Sequence, residues 1–266
     1  MGLTSSLLIS TYNWPTALEL VLKSVLLQSK LPNEVIIADD GSTEDTKILI
    51  NRYKSLLPIP LHHVWHPDKG FRKTIIMNKA INVASGDYII QIDGDIILHP
   101  HFISDHLKNA EHNYFIKGSR AMLNMEFTQK LIKSGNVNIN PLGSGVRSKI
   151  NGTYLPRLSS LFYGSTKKTN DLRGCNFAFW KKDFIKVNGY NNNLIGWGHE
   201  DIELAARMVN SGLKRKQLKL SAVCFHLYHK INSRKRQDTN YMIYKNVVHN
   251  KISVCTNGYR QTLMKT

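Results

Sequence analysis

The first part of the chain alternates short apolar, β-branched runs with stretches of helical period. Ser5–Ser10 predicts a strand. Leu18, Val21, Leu22, Val25 and Leu26 then recur at helical spacing as far as Gln28, behind Pro15 in a first helical turn and a polar cap near Asn13. Leu31-Pro32 stops that helix. Glu34–Asp39 predicts a second strand, and Ser42 with Asp45 resembles a capping arrangement for a helix reaching about Lys54. Leu61–Trp65 is a third strand. Lys73 to Ala84 reads as a helix closed by Ser85-Gly86, and Asp87–Leu98 is so apolar that it suits a central strand covered on both faces.

Four rounds of strand and helix predict a three-layer α/β/α domain with a mostly parallel central sheet. After Pro100 a helix is expected to about His112, then a strand over Tyr114–Ser119. Asn124–Asn170 is polar and weakly patterned, and predicts a short helix near Phe127–Ile132 within a long mobile loop. Pattern returns with a strand at Gly174–Trp180, a short helix at Lys181–Val187, a loop over Gly189–Gly198, a helix at Glu200–Asn210, a strand at Ser221–His226 and a helical stretch at Tyr241–Ile252. The expected organisation is one domain over residues 1–229, with a first half to about 120 and a second over about 171–229, followed by a basic helical tail at 230–266.

In open α/β sheets, ligands bind beyond the carboxyl ends of the strands. Polar clusters fall at those ends: Ser10-Thr11-Tyr12, Asp39-Asp40 and Asp93-Gly94-Asp95. Unpaired carboxylates are too costly inside a strand, so Asp93 and Asp95 belong where the strand opens to solvent or meets a cation, as hard oxygen ligands for Mg²⁺ or Mn²⁺. An ordinary Asp-Gly turn is the competing reading. No glycine fingerprint follows the first strand and no P-loop occurs, which disfavours a dinucleotide fold or a phosphate loop of that type.

The 266 residues carry a formal charge of +17, which calls for an anionic partner: nucleic acid, anionic lipid or a phosphate-bearing substrate. Lysines and arginines are scattered rather than interleaved with aromatics, so no nucleic acid is expected. No apolar run reaches transmembrane length and no signal-peptide pattern opens the chain. Cys175, Cys224 and Cys255 are odd in number and far apart, consistent with reduced thiols and a cytoplasmic setting. The basic run Arg234–Arg236 suits either a solvated tail or peripheral contact with the anionic inner face of a membrane.

Ser10-Thr-Tyr-Asn13, Asp39-Asp-Gly-Ser42, Ile92-Asp-Gly-Asp95 and Gly196-Trp-Gly-His-Glu-Asp201 occur together in that order. The set resembles the family-2 inverting glycosyltransferases of the GT-A fold. The stretch from Gly174-Cys-Asn-Phe-Ala-Phe-Trp180 through Cys224-Phe-His226 is similar to the galactosyltransferase-type region of bacterial chondroitin polymerases and β-1,4-galactosyltransferases. The likeness spans about Leu7 to His229. His199 departs from it, standing where the family often has glycine, with consequences for acceptor preference.

The resemblance implies a metal-dependent enzyme moving a sugar from a nucleotide-sugar, expected to be UDP-linked, to a hydroxyl of a glycan or lipid-linked acceptor in surface polysaccharide or lipopolysaccharide synthesis. Thr11 and Tyr12 would line the nucleotide site, with Tyr12 stacked on the base, and Asp40 would accept from uracil N3–H. Asp39 would face the ribose or serve the structure. Arg72 and Lys73 would reach phosphate or form a solvated basic face. Asp95 would ligate Mn²⁺ or Mg²⁺ directly, with Asp93 nearer the ribose or a metal-held water, and His226 would be a further ligand, with His229 as its competitor. Asp201 would be the general base, at a helix start that favours a carboxylate. Glu200 would bind acceptor hydroxyls or exchange roles with it, and Trp197 would offer a plate for a sugar ring. A sugar-phosphate nucleotidyltransferase is the alternative, but it leaves Gly196–Asp201 unexplained.

Overall fold

The computed structural model describes residues 2–162, 164–230 and 236–264. Its first elements follow the hydrophobic pattern: β1 (Ser5–Thr11), α1 (Pro15–Leu26), β2 (Glu34–Asp39), α2 (Glu44–Leu56), β3 (Leu61–Trp65), α3 (Lys73–Val83) and β4 (Tyr88–Asp93). Then come β5 (Ile96–Leu98), α4 (Phe102–Asn109), β6 (Tyr114–Lys117), β7 (Ser119–Leu123), α5 (Met125–Ser134), β8 (Val146–Arg147), α6 (Lys149–Gly152), α7 (Pro156–Ser159) and β9 (Gly164–Thr166). The remainder is β10 (Phe177–Trp180), α8 (Lys181–Lys186), α9 (Glu200–Asn210), β11 (Lys214–Gln217), β12 (Val223–His226), α10 (Gln237–His249) and α11 (Tyr259–Leu263).

Eight strands form one sheet in the order β3-β2-β1-β4-β10-β6-β11-β9, in which β10 and β9 run against the rest. Along β1, Leu7 and Ile9 enter one core cluster and Leu8 the other, so the sheet is buried on both faces and its strands need no polar alternation. Helices α1 and α2 cover one face, while α3 and α9 cover the other. Tyr244 of α10 and Tyr259 of α11 join that second cluster, which ties the end of the chain to the core.

The apolar run of residues 87–98 is not one strand. It crosses from the large sheet into a second one, ordered β5-β12-β7-β8, and Asp93-Gly94-Asp95 is the corner. Gly94 N–H donates to the Ser10 carbonyl at 2.7 Å. A Cβ on Gly94 would lie 3.0 Å from both that oxygen and Thr11 Oγ1, so a side chain there would press the corner away from β1.

Several local expectations are corrected. Ser42 and Asn13 do not cap helices: α1 and α2 begin after Trp14 and Thr43 without side-chain caps. Instead Asn13 N–H donates to Ser42 Oγ (2.9 Å) and Thr43 N–H to Asn13 Oδ1 (2.8 Å), clamping two strand-end loops together. The helix after Pro100 stops at Asn109 rather than near His112. Asn124–Asn170 is not mainly loop, because β8 pairs with β7 and β9 with β11. The short strand β11, with the sequence Lys-Arg-Lys-Gln, had no apolar signal to announce it. Gly174–Asn176 is a 3₁₀ turn, and the strand there begins only at Phe177.

Candidate active site

Register brings the strand-end acids together. Ser10 of β1 lies beside Asp93 of β4, and Thr11 beside Asp39 of β2. Beyond these ends opens a cleft of about 640 Å³, a volume suited to a small organic ligand. Of the residues singled out from the sequence, Thr11, Tyr12, Asp40, Lys73, Asp93, Asp95, Trp197, Glu200, Asp201 and His226 line it.

Asp39 and Arg72 do not. Asp39 is buried, accepting from Ser42 N–H (2.8 Å) and lying 2.9 Å from His63 Nε2, so it holds β2 to β3. The Arg72 guanidinium turns back to the Pro67 carbonyl. Its backbone N–H contributes instead, donating to Asp40 Oδ2 at 2.8 Å, while Asp40 Oδ1 sits 2.7 Å from His66 Nε2. Tyr12 is half exposed and its hydroxyl donates to Asp68 Oδ2 at 2.9 Å, leaving a ring at the mouth of the cleft.

The two acids of the corner are treated differently. Asp93 Oδ1 accepts from Ser10 Oγ and from Lys73 Nζ, each at 2.7 Å. Burial would raise the Asp93 pKa, but Lys73 and Ser10 outweigh it and hold it below the usual carboxylate range. Asp95 has no such donors. Its Oδ2 lies 3.5 Å from His226 Nε2 and 3.4 Å from His229 Nε2, and its buried Oδ1 has no hydrogen-bond partner among the described residues. Burial drives its pKa up despite the pull of His226.

Asp95, His226 and His229 offer ligand atoms all within 4.8 Å of one another. His226 Nδ1 sits 2.7 Å from the Leu227 carbonyl and His229 Nδ1 2.7 Å from that of Lys230. Each contact places a proton on Nδ1 and turns Nε2 toward Asp95, the orientation a metal ligand needs. The Asp95 oxygen and these two nitrogens fit a divalent cation.

The second acid pair faces the first across the cleft. Glu200 and Asp201 open α9, entered through His199 at φ 71°. That left-handed conformation suits glycine, and the His199 ring rests against Tyr241 of α10 at 5.1 Å. Asn240 Nδ2 of the same helix donates to the carbonyl of Gly198 (3.0 Å), bracing this loop. Asp201 Oδ2 accepts from Gly174 N–H at 2.8 Å, and Oδ1 lies 3.1 Å from the Tyr190 hydroxyl. A Cβ on Gly174 would fall 2.2 Å from Asp201 Oδ1, so only glycine admits the carboxylate there. Gln91 completes the support, donating to the Gly174 carbonyl (3.1 Å) and accepting from Tyr190 (2.8 Å).

Glu200 is less well served. It accepts from Gly198 N–H at 3.1 Å, and burial followed by the Asp201 charge pushes its pKa up to about 7. Lys73 joins the two pairs, 2.7 Å from Asp93 and 4.0 Å from Glu200. Burial opposes its charge, but Asp93, Asp201 and Glu200 outweigh that and hold the ammonium well above its ordinary pKa.

Sequence reasoning missed Arg120, Arg173 and Tyr190. Arg120 lines the cleft from β7 and donates to Cys175 Sγ at 3.2 Å. Its only sequence signal was a basic residue ahead of the apolar Ala121 and Met122. Arg234 and Lys235, two of the three residues of the basic run, lie outside the described residues.

A mostly parallel sheet with acids at its strand ends, meeting a small second sheet, is the GT-A layout. The crystal structure of GalNAc-T7 with UDP, GalNAc and Mn²⁺ shares this fold at a TM-score of 0.66, with 16% identity, covering 93% of this chain and 50% of that one. The chain belongs to glycosyl transferase family 2, whose sequence profile matches residues 6–184. Residues 159–230 match a second profile, the N-terminal domain of galactosyltransferase. Chondroitin synthase of Pasteurella multocida (strain Pm70) is 26% identical over 231 residues, which is 78% of this chain and 23% of that protein. Chondroitin synthase of Escherichia coli is 24% identical over 242 residues, 83% of this chain and 34% of the relative. The chain thus spans about a quarter and about a third of the length of these two relatives.

Proposed function

We propose that this glycosyltransferase is metal-dependent and inverting, taking a sugar from a UDP-linked donor to a hydroxyl of a glycan or lipid-linked acceptor in surface polysaccharide or lipopolysaccharide synthesis. The observation that carries the reading is the pairing, across one cleft, of a cation-fitting group (Asp95, His226, His229) with a second acid pair at a helix start. The GalNAc-T7 structure holding UDP and Mn²⁺ supports the donor and the metal, and the two chondroitin synthases support a polysaccharide product.

Asp95, His226 and His229 would hold Mn²⁺ or Mg²⁺, and imidazole ligands favour manganese. Such a cation would supply charge relief for the departing diphosphate. The Tyr12 ring stacks on the base at the cleft mouth and Asp40 meets the uracil edge. Asp93 stays with Lys73 and turns toward the ribose. Lys73 and Arg120 add positive charge on the diphosphate side. Trp197 faces the sugar.

Asp201, fixed by Gly174 and Tyr190, takes the acceptor hydroxyl proton. The acceptor oxygen forms its bond to the anomeric carbon while the bond from that carbon to the phosphate oxygen breaks, its electron pair leaving with UDP. A single displacement of this kind inverts the anomeric centre. Glu200 hydrogen-bonds the acceptor. A second reading exchanges the acids, because a carboxyl near pKa 7 is well matched to proton transfer at neutral pH.

The test is UDP release across a UDP-sugar panel, with Mn²⁺ or with EDTA, from wild type and Asp95→Ala. The expected result is manganese-dependent release from one donor, abolished in the variant. A folded protein that binds no nucleotide-sugar would overturn the reading.

A further inference from the structure

Helical segments on a protein surface ordinarily turn their apolar side chains inward. The run Pro156–Ser159, continued by the 3₁₀ turn Ser160–Phe162, does the reverse. Ser159 is buried, with its Oγ 2.7 Å from Ser221 Oγ. Leu158, Leu161 and Phe162 point outward, exposed by 47%, 76% and 49%, and Leu155 joins them one turn earlier. An outward apolar face on so short a run marks a contact surface rather than a packing element.

Its surroundings say what the contact is. No aspartate or glutamate occurs between Glu126 and Asp171, whereas Arg147, Lys149, Arg157, Lys167 and Lys168 are all exposed. A second copy of this chain would set one +17 protein against another. An acidic polymer would satisfy the lysines and leave the leucines in water. An anionic lipid bilayer satisfies both, accepting apolar side chains below the headgroups and basic ones among them.

The position is also informative. Gly164 pairs with Gln217 at the carboxyl end of β11. Strand β11 runs parallel to β6, and both β6 and β4 run against β10, so β11 points the same way as β4. The patch therefore sits at the end of the sheet where Asp93 and the cleft open.

We propose that the face of Leu155, Leu158, Leu161 and Phe162, with its basic rim, docks the enzyme on an anionic bilayer at the end of the sheet where the cleft opens. The purpose of this docking, reaching a membrane-linked acceptor, rests on the function proposed above; lipid binding itself does not require it.

The test is flotation with vesicles of phosphatidylcholine alone and of phosphatidylcholine mixed with phosphatidylglycerol. Wild type is expected to float only with the mixed vesicles. Leu161→Glu/Phe162→Glu is expected to lose binding by about tenfold or more, and the milder Leu158→Ser/Leu161→Ser to lose part of it. Lys30→Glu/Lys54→Glu, which removes more net charge but lies by α1 and on α2, is expected to keep binding within about twofold. Thermal unfolding establishes that each variant is folded. Absence of flotation by wild type, equal loss in the lysine pair, or full binding by both folded leucine variants would overturn the proposal. A protein that floats yet releases UDP from no donor would refute the transferase reading and leave this surface standing.

Discussion

Asp93-Gly94-Asp95 and Glu200-Asp201 are both acid pairs at the mouth of one cleft, and in each pair the two members have opposite surroundings. Asp93 accepts from two donors, and Asp201 accepts from the Gly174 N–H. Asp95 and Glu200 are buried with too little compensation, and both have raised pKa values. The pairs differ in what would relieve that second member. Asp95 faces two imidazole nitrogens, an arrangement that gains from a divalent cation. Glu200 faces Lys73 only at 4.0 Å and gains from a proton. In the function proposed above, two pairs of like composition thus serve two chemistries, one for a metal and one for an acceptor hydroxyl.

The largest effect expected from breaking this comparison is on the fixed acid of the acceptor pair. Asp201→Asn should lower kcat by about 10²–10⁴-fold with little change in donor KM. Glu200→Gln should cost less, and the reverse order in steady-state kinetics would exchange their roles. Next is Gly174→Ala. Its methyl group would occupy the space of Asp201 Oδ1, and displacing a reacting carboxylate by about 1 Å costs on the order of 100-fold in kcat, readable against an unchanged Mn²⁺ affinity. On the other pair, His226→Ala and His229→Ala should each weaken Mn²⁺ binding by about 10–100-fold in calorimetry, and a histidine whose loss leaves affinity intact is no ligand.

The smallest effect concerns stability. Folding raises the Glu200 pKa from 4.5 to about 7, so the folded chain binds that proton more tightly than the unfolded one. The stability it contributes is full below about pH 4.5 and is lost as pH rises through 7. Without metal or donor, Glu200→Gln should raise Tm by a few degrees at about pH 8 and by almost nothing at about pH 4.5. An equal shift at both pH values would assign the gain to some other cause.

The strand–helix alternation to β4 was legible because a strand buried on both faces must be apolar throughout, and each helix beside it shows a period of its own. Residues 136–170 and β11 were not, since β8, β9 and β11 are short strands that draw their stability from neighbours rather than from apolar runs of their own. Likewise Ser42 and Asn13 have the chemistry of helix caps, yet they bond to each other's loops, and no local pattern encodes that choice.

Alone, the sequence determined the mostly parallel α/β architecture, the polar strand ends and the four motifs that identify the family. The tertiary structure decided which side chains meet. It folded one apolar run across two sheets at Asp93-Gly94-Asp95, brought His226 and His229 together on Asp95, and turned Asp39 and the Arg72 side chain away from the cleft. The reason is physical: periodicity reports which face of an element is buried, whereas the partner of a polar group is set by strand register and by contacts between residues far apart in the chain.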